Sequence, residues 1–189
     1  MKKLLLVDTE TGGLDPVENS IFSVGMVIWK DGKITDSMSV VIKEPNGIVT
    51  SEAVKINGLT RERIESTGVS PAEAVSKITA FCRKNGIKWG AEIGGHNVQF
   101  DVGFLKRLYK LAGVKYPFSH RVVCTQSAAI FLRLAGYLDI NNTGLDALCE
   151  KFGITIRMEG VASHDALEDV TATAHLLTAL LDLLNIREG

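Results

Sequence analysis

The first third of the chain carries the pattern of β-strands. An apolar run over residues 3–7, which stops at Asp8, predicts a buried strand. Residues 20–29 and 34–42 are rich in β-branched and aromatic side chains, and Asp31-Gly32 between them is a typical hairpin turn. We therefore expect three strands first, at least two of them antiparallel.

Helical periodicity dominates the remainder of the chain. One helix has a clear start, with Ser70 as the N-cap, Pro71 in the first helical position and Glu73 two residues later. We expect helices over residues 60–65, 70–86, 98–112, 125–134, 144–152 and 165–184, and further strands over 88–95 and 122–123. Strands that come first and then alternate with helices predict one α/β domain, a mixed sheet with helices on both faces.

Composition narrows the class of protein. Of the 189 residues, 46% are hydrophobic and 23% are charged, which excludes a disordered chain, a collagen-like repeat and a disulfide scaffold. The formal net charge of −1 gives no sign of a general nucleic-acid coat or a membrane binder.

Cysteine usage and the amino terminus predict a cytoplasmic protein. The three cysteines make an odd count with no CxxC spacing, so we expect buried, reduced thiols instead of disulfides or a zinc site. The apolar run after Met1 is too short for a secretory signal, and no segment approaches the roughly 20 apolar residues of a membrane span.

Two acidic residues at the end of the first strand are the first chemical signal. Asp8 and Glu10 are two positions apart and share the strand face of Leu4 and Leu6, which should be buried. Two carboxylates in such a place repel each other and lose hydration, and a divalent cation would offset both costs. The alternative is a frayed strand end with both acids in solvent.

Three further residues stand in similar positions on predicted helices. Asp101 shares a helix face with Leu105, and Asp169 shares one with Ala172, so both acids point towards apolar surroundings. His164 precedes Asp169 near the helix start, where an imidazole can titrate near neutrality. The alternatives are a helix-dipole interaction for Asp101, a surface ion pair for Asp169 and a capping or surface role for His164.

Taken together, these residues favour a metal-dependent site. One strand and two helices can bring four carboxylates together where a central strand ends near helix amino termini. An all-oxygen donor set suits Mg²⁺ or Mn²⁺ better than zinc. Two such ions about 3.5–4 Å apart are suited to attack on a phosphodiester, and a nearby histidine is the natural base for the attacking water.

Three ordered motifs carry a resemblance to a known family. They are Asp8-Thr9-Glu10-Thr11-Gly12-Gly13-Leu14-Asp15-Pro16, His96-Asn97-Val98-Gln99-Phe100-Asp101 and His164-Asp165-Ala166-Leu167-Glu168-Asp169. With them, the chain resembles the DEDDh 3′–5′ exonucleases, the group of proofreading subunits and ribonuclease T. The resemblance implies an α/β, ribonuclease H-like fold with a central mixed five-stranded sheet flanked by helices, and a single exonuclease domain over residues 1–189.

The resemblance also implies residue roles. The metal ligands for two Mg²⁺ ions, which Mn²⁺ can replace, would be Asp8, Glu10, Asp101 and Asp169, with His164 as the general base. The residues expected to bind the terminal nucleotide are Thr9, Thr11, Leu14, Ile56, His96, Asn97 and Phe100. Leu14 would wedge against the base. A core position for Phe100 and a buried structural role for His96 remain alternatives.

The implied activity is release of nucleoside 5′-monophosphates from single-stranded or frayed DNA 3′ ends. An exoribonuclease with the same site stays open. A non-catalytic nucleic-acid-binding module is less favoured because all five catalytic positions are present, and a His-Asp phosphohydrolase does not suit the strand-rich first half.

Partners follow from the same resemblance. We expect a single-stranded nucleic acid 3′ end as the bound partner and no membrane, with a homodimer left open. The few residues after the last predicted helix are too short for a polymerase- or clamp-binding tail. A polymerase partner is therefore not expected, and a stand-alone repair, processing or phage-type nuclease is favoured. Lys106, Arg107, Lys110 and Lys115 are expected on solvated helix surface.

Overall fold

The computed structural model describes residues 2–44, 47, 61–156 and 165–185, and within them five strands form one mixed sheet. The strands are β1 (Lys3–Thr11), β2 (Ile21–Lys30), β3 (Lys33–Val41), β4 (Ile93–Gly95) and β5 (Val122–Cys124), in the order β3-β2-β1-β4-β5. The β1–β2 and β2–β3 pairs are antiparallel, whereas β1–β4 and β4–β5 are parallel. The predicted mixed five-stranded sheet is confirmed.

Helices account for most of the other described residues. They are α1 (Arg61–Thr67), α2 (Pro71–Lys84), α3 (Gln99–Leu111), α4 (Thr125–Leu134), α5 (Leu145–Phe152) and α6 (Ala166–Asn185). The Ser70 side chain accepts a hydrogen bond from the Glu73 amide at 3.2 Å, which confirms the predicted cap of α2. Residue 60, where the first helix was predicted to begin, lies outside the described residues.

Both faces of the sheet are covered, as expected from the alternation of β1 side chains. Leu5 and Val7 belong to a core with residues of α2 and α3, whereas Leu6 packs with Val170 and Leu177 of α6. Asp8 and Glu10 continue the Leu6 side of the strand, which places them on the α6 face. None of the described helices is long and apolar enough to cross a membrane.

Two predicted strand boundaries were wrong. The first strand was expected to stop at Asp8, but it continues to Thr11 because Thr9 and Glu10 pair with β2, with a register irregularity only after Glu10. The fourth strand was expected from residue 88 but begins at Ile93. Gly90 takes a φ of 76° and its amide donates to Pro117 at 2.7 Å, which makes the preceding segment a turn.

Candidate active site

Three carboxylates meet on the α6 face of the sheet. Asp8 and Glu10 come from β1, and Asp169 comes from the first turn of α6. One carboxylate oxygen from each residue lies within 4.8 Å of the others. Glu10 and Asp169 are buried and Asp8 is half-buried, so the group is a compact acidic cluster and not a set of surface acids.

Asp101 joins this cluster from the other side of β1. It lies in the first turn of α3, is only 2% exposed, and its Oδ1 accepts a 2.8 Å hydrogen bond from the Thr9 hydroxyl. Thr9 alternates with Asp8 and Glu10 along the strand and therefore points to the opposite face. The structure thus brings all four predicted acids to the same end of β1, three on one face and Asp101 beyond the strand.

The electrostatics of the cluster are unfavourable without a cation. Burial raises the pKa of Asp8 well above its ordinary value, and the nearby charges of Asp101, Asp169 and Glu10 raise it further. Burial also raises the pKa of Asp101 to about 7, although the hydrogen bond from Thr9 lowers it. Four crowded carboxyl groups with hard oxygen donors fit a divalent cation of the Mg²⁺ type.

A glycine allows α6 to approach the sheet closely enough to deliver Asp169. Gly25 of β2 pairs with Asp8 in register. A Cβ atom added at Gly25 would lie 2.2 Å from the Ala166 carbonyl oxygen and 2.6 Å from the Leu167 nitrogen. The start of α6 is capped by Asp165, whose Oδ1 accepts a 2.9 Å hydrogen bond from the Leu167 amide. The close approach of backbone to backbone requires glycine.

A cavity of about 290 Å³ opens beside the acids. Its wall includes Asp8, His96 and Asp169 on one side and Asn142, Gly144 and Asp146 on the other. No sequence pattern assigned residues 142–147 to the site. Asn142 and Gly144 are turn-forming residues, and the Asn142 side chain accepts a 2.9 Å hydrogen bond from the Gly144 amide before α5 begins. A local turn signal, however, does not reveal which cavity the turn borders.

His96 is the predicted substrate-binding residue that borders this cavity. Its Nδ1 lies 2.9 Å from the Thr125 hydroxyl, which in turn donates to the Gly95 carbonyl at 3.3 Å. Burial lowers the pKa of His96, against smaller opposing effects of the Thr143 carbonyl and the charge of Asp146. At neutral pH the ring is therefore uncharged and held in place from one side.

The loop between β1 and β2 exposes an apolar side chain to solvent. Leu14 is 85% exposed, and the neighbouring Thr11 hydroxyl donates to the Gly13 carbonyl at 2.7 Å within the loop. Leu14 is thus free to contact a ligand, whereas the Thr11 hydroxyl already has a bond in its own loop.

Arg107 anchors this loop from α3. Its Nη1 donates to the Pro16 carbonyl at 3.1 Å and to the Val17 carbonyl at 2.8 Å, and its guanidinium forms an ion pair with the buried Glu44. The expectation that Arg107 belongs to a solvated helix surface was wrong. Long-range contacts of this kind leave no periodic signal in the sequence.

A family model described as an exonuclease, RNase_T, matches residues 5–177. The chain belongs to the RNase_T exonuclease family. The match covers most of the chain and confirms the resemblance to the DEDDh exonucleases. The chain is therefore an exonuclease by family.

Relatives of this exonuclease are longer proteins. It is 30% identical over 176 residues to the PolC-type DNA polymerase III of Halalkalibacterium halodurans, and 28% identical over 182 residues to that of Caldanaerobacter subterraneus subsp. tengcongensis. The aligned regions cover 93% and 96% of this chain but only 11% and 12% of those proteins.

Solved structures share its fold. E. coli exonuclease I in a single-stranded DNA complex aligns with a TM-score of 0.74 at 18% identity, over 98% of this chain and 43% of that one. The nuclease domain of 3′hExo, a DEDDh family member bound to rAMP, aligns with a TM-score of 0.75 at 16% identity, over 95% and 92% of the two chains. These likenesses confirm the ribonuclease H-like fold.

The remaining predicted site residues of the exonuclease have different outcomes. Asn97 is exposed and takes a φ of 56°, a left-handed backbone conformation that asparagine tolerates directly before α3. Phe100 is half-buried and stacks on Phe104 with ring centroids 5.0 Å apart, so part of its surface belongs to the core. Ile56 and His164 lie outside the described residues, and their roles stay predictions.

Proposed function

We propose that this exonuclease releases nucleoside 5′-monophosphates stepwise from the 3′ ends of single-stranded or frayed DNA, with two divalent metal ions and residues 1–189 acting as a single domain. The observation that carries the proposal is the meeting of Asp8, Glu10 and Asp169 within 4.8 Å, with Asp101 directly behind them. A phosphodiester is the substrate for which such an all-carboxylate site is suited.

The four acids would hold the ions, with Mg²⁺ as the expected species and Mn²⁺ as a substitute. When bound, such ions supply an activated water and stabilise the leaving oxygen. The protein contributes the fixed positions of its ligands, since Thr9 orients Asp101 and Gly25 lets α6 place Asp169. Because Asp101, Asp169 and Glu10 raise the pKa of Asp8 when no cation is present, binding of the ions also relieves repulsion in the folded protein.

Substrate positioning falls to the loop and cavity beside the acids. The exposed Leu14 would press against the terminal base, while Thr9, Thr11, His96, Asn97, Phe100 and Ile56 would border the terminal nucleotide. His96 supports this role because it is uncharged at neutral pH and lines the cavity together with Asp8 and Asp169. An uncharged imidazole beside the carboxylates can accept or donate a hydrogen bond to the substrate without adding a positive charge that would compete with the metal ions for the carboxylates.

Two substrates remain to be separated by experiment. Similar structures include exonuclease I with single-stranded DNA and Exonuclease X with 5′-overhanging duplex DNA, which supports DNA. The nuclease domain of 3′hExo is bound to rAMP, and another similar structure concerns recognition of a histone mRNA stem-loop by a 3′-exonuclease. These two structures favour an exoribonuclease as the second candidate.

The decisive assay uses 5′-labelled DNA and RNA oligonucleotides of one sequence, each with a free or a blocked 3′ end. We expect a ladder of shortened 5′-labelled DNA, no digestion of the blocked strand and no activity in EDTA. Asp169→Asn should abolish digestion, whereas Asp182→Asn, which neutralises an exposed acid on the same helix, should keep the wild-type rate. Digestion of the blocked strand would refute the 3′–5′ direction, and digestion of RNA alone would establish the exoribonuclease.

His164 would take the proton from the attacking water. The proposal rests on the motif His164-Asp165-Ala166-Leu167-Glu168-Asp169, which also contains the acid Asp169. We expect His164→Ala to lower the turnover number by about 10²–10⁴-fold, the usual share of general-base catalysis, while Mg²⁺ binding is kept. Full turnover by the variant at saturating Mg²⁺ would refute the assignment.

A further inference from the structure

A second cavity, of about 310 Å³, lies at the opposite edge of the sheet from the acids. Its wall is formed by the end of α2, the segment at Trp89 before β4, and the segment around Val114 that follows α3 and precedes β5. Because β4 and β5 run parallel to β1, these segments lie at the amino ends of the three strands. The catalytic acids lie at the other ends.

The floor of this pocket is rigid and apolar. The buried rings of Tyr109 and Phe118 pack edge to face with centroids 6.2 Å apart, and Tyr116 packs against both. The rim, in contrast, is open, with Trp89 64% exposed and Val114 47% exposed. Exposed apolar side chains around a preformed hollow are typical of a surface that a ligand covers.

The charges around the pocket have one sign. Arg83, Lys88 and Lys115 line it, and no acidic residue does among those that the structure describes. The ion pairs found among the described residues involve other cations, and Lys115 instead lies over the Trp89 ring at 5.8 Å from its centroid. The pocket therefore combines an apolar floor with cations whose charge is not offset by a neighbouring carboxylate of the lining.

The geometry points to a docking site for an acidic segment of a partner protein. One apolar side chain of that segment would enter the hollow beside Trp89, and its flanking carboxylates would pair with Lys88, Lys115 and Arg83. Aromatic and arginine residues are the usual anchors of protein interfaces, and arginine and lysine clusters recognise acidic motifs. This site is independent of the proposed DNA or RNA substrate.

A nucleic acid strand fits this pocket less well. A strand whose end reaches the acids would have to pass around the sheet to arrive here. Non-specific single-strand binding also uses a basic groove with successive stacking rings, whereas this pocket is a single hollow with one exposed tryptophan. The positive charge of the pocket therefore favours a protein segment in which carboxylates flank a large apolar side chain.

The test uses capped, dye-labelled hexapeptides in which Leu-Phe, Leu-Leu or Ile-Phe is flanked on each side by two acidic residues. The matched controls replace the acids by lysines or the apolar pair by alanines. Trp89 reports occupancy of the site, since the other tryptophan, Trp29, is 5% exposed and bonded to Thr178. We expect at least one acidic peptide to bind saturably, about tenfold or more tighter than either control, and to change the Trp89 emission.

Charge reversal completes the test. Lys88→Glu with Lys115→Glu should weaken acidic-peptide binding by about tenfold or more and favour the lysine peptide, while exonuclease rates stay unchanged. Lys33→Glu, a single charge reversal at an exposed position of the β2–β3 hairpin outside the pocket lining, should leave binding unaffected. Equal binding of acidic and basic peptides, no saturable binding, or a response of Trp89 to a 3′-blocked oligonucleotide alone would overturn the proposal.

Discussion

The two edges of the sheet, at the carboxyl and at the amino ends of its parallel strands, carry side chains of opposite charge. At the carboxyl ends of the parallel strands, acids of one sign are buried together, and burial and mutual repulsion raise the pKa of Asp8 well above its ordinary value. At the amino ends, Lys88 and Lys115 border an apolar pocket whose rim is open to solvent. Buried like charges oppose folding, whereas cations at an open rim cost little.

The charges at the carboxyl ends thus oppose folding and are available to a ligand, whereas those at the amino ends have little effect on folding stability. A cluster that opposes folding persists where a ligand, here a divalent cation, offsets the repulsion. Neutralising an acid should therefore stabilise the metal-free protein while it removes activity, the usual form of a trade-off between stability and function. Changes at the amino-end pocket should leave both catalysis and metal binding intact.

The largest effect is expected from Gly25→Ala. The added Cβ would meet the Ala166 carbonyl oxygen at 2.2 Å, and that atom is backbone, so the start of α6 must move away from β2. We expect a loss of stability of about 1–3 kcal/mol from overpacking, and a fall in turnover of about 10²-fold from displacement of Asp169 by roughly 1 Å. Urea unfolding and initial exonuclease rates measure the two effects.

Ser39→Ala is the matched control, since Ser39 pairs with Gly25 in register and is exposed on β3. It should alter neither rate nor stability by more than a small amount. Wild-type values for Gly25→Ala would show that the start of α6 can adjust, and would remove the close approach as the reason for the glycine.

Local signals in the sequence predicted much of the fold. Asp31-Gly32 takes φ values of 48° and 86° and closes the β2–β3 hairpin, and Ser70 caps α2, because both features depend on residues a few positions apart. The same glycine rule could have revealed Gly25, since an isolated glycine inside a strand pattern often marks a close backbone approach. The predicted end of β1 was too early because the backbone of its polar residues Thr9 and Glu10 pairs with β2.

The candidate site was predictable only in part. Periodicity placed Asp8, Glu10, Asp101 and Asp169 on inward faces, and the motifs ordered them. The Thr9–Asp101 hydrogen bond spans 92 residues and the contacts of Arg107 with the loop span about 90, so they follow from the tertiary fold and not from any local pattern. The segment 142–147 was missed for the same reason.

The metal-free protein should lose stability as pH rises. Burial raises the pKa of Asp101 to about 7, above its ordinary 3.8, so the folded state keeps a proton that the unfolded state releases. The stabilisation is complete below about pH 4 and is lost as pH rises towards 7, by up to about 4 kcal/mol at ~1.4 kcal/mol per pKa unit. Urea unfolding in EDTA at pH 5 and pH 8 measures the part lost above pH 5, about 3 kcal/mol.

Two additions make this pH test specific to the acidic cluster. Mg²⁺ at pH 8 should restore stability, and Asp101→Asn, whose Oδ1 can still accept the Thr9 hydrogen bond, should reduce the dependence to the part contributed by Asp8. Asp139→Asn, which neutralises an exposed acid, should keep the wild-type slope. A metal-free protein equally stable at both pH values would show that the cluster does not oppose folding.

The smallest effect concerns Arg107, which acts on the catalytic edge through the loop of Leu14. Arg107→Ala removes the donors to the Pro16 and Val17 carbonyls and leaves the buried Glu44 without its ion-pair partner. The acids themselves are untouched, so the chemical step should continue once a substrate is seated. We expect KM for a 5′-labelled oligonucleotide to rise about tenfold with kcat changed less than about threefold.

Lys110→Ala distinguishes this anchoring from simple attraction of the phosphate backbone, because it removes an equal charge from an exposed position of the same helix α3. Attraction alone would raise KM similarly in both variants, and the rise would vanish at high salt because exposed charges are screened. Anchoring predicts that Arg107→Ala alone raises KM and that the increase persists at high salt. It also predicts that Leu14→Ala in the Arg107→Ala background adds little, since a side chain on a loosened loop no longer meets the base.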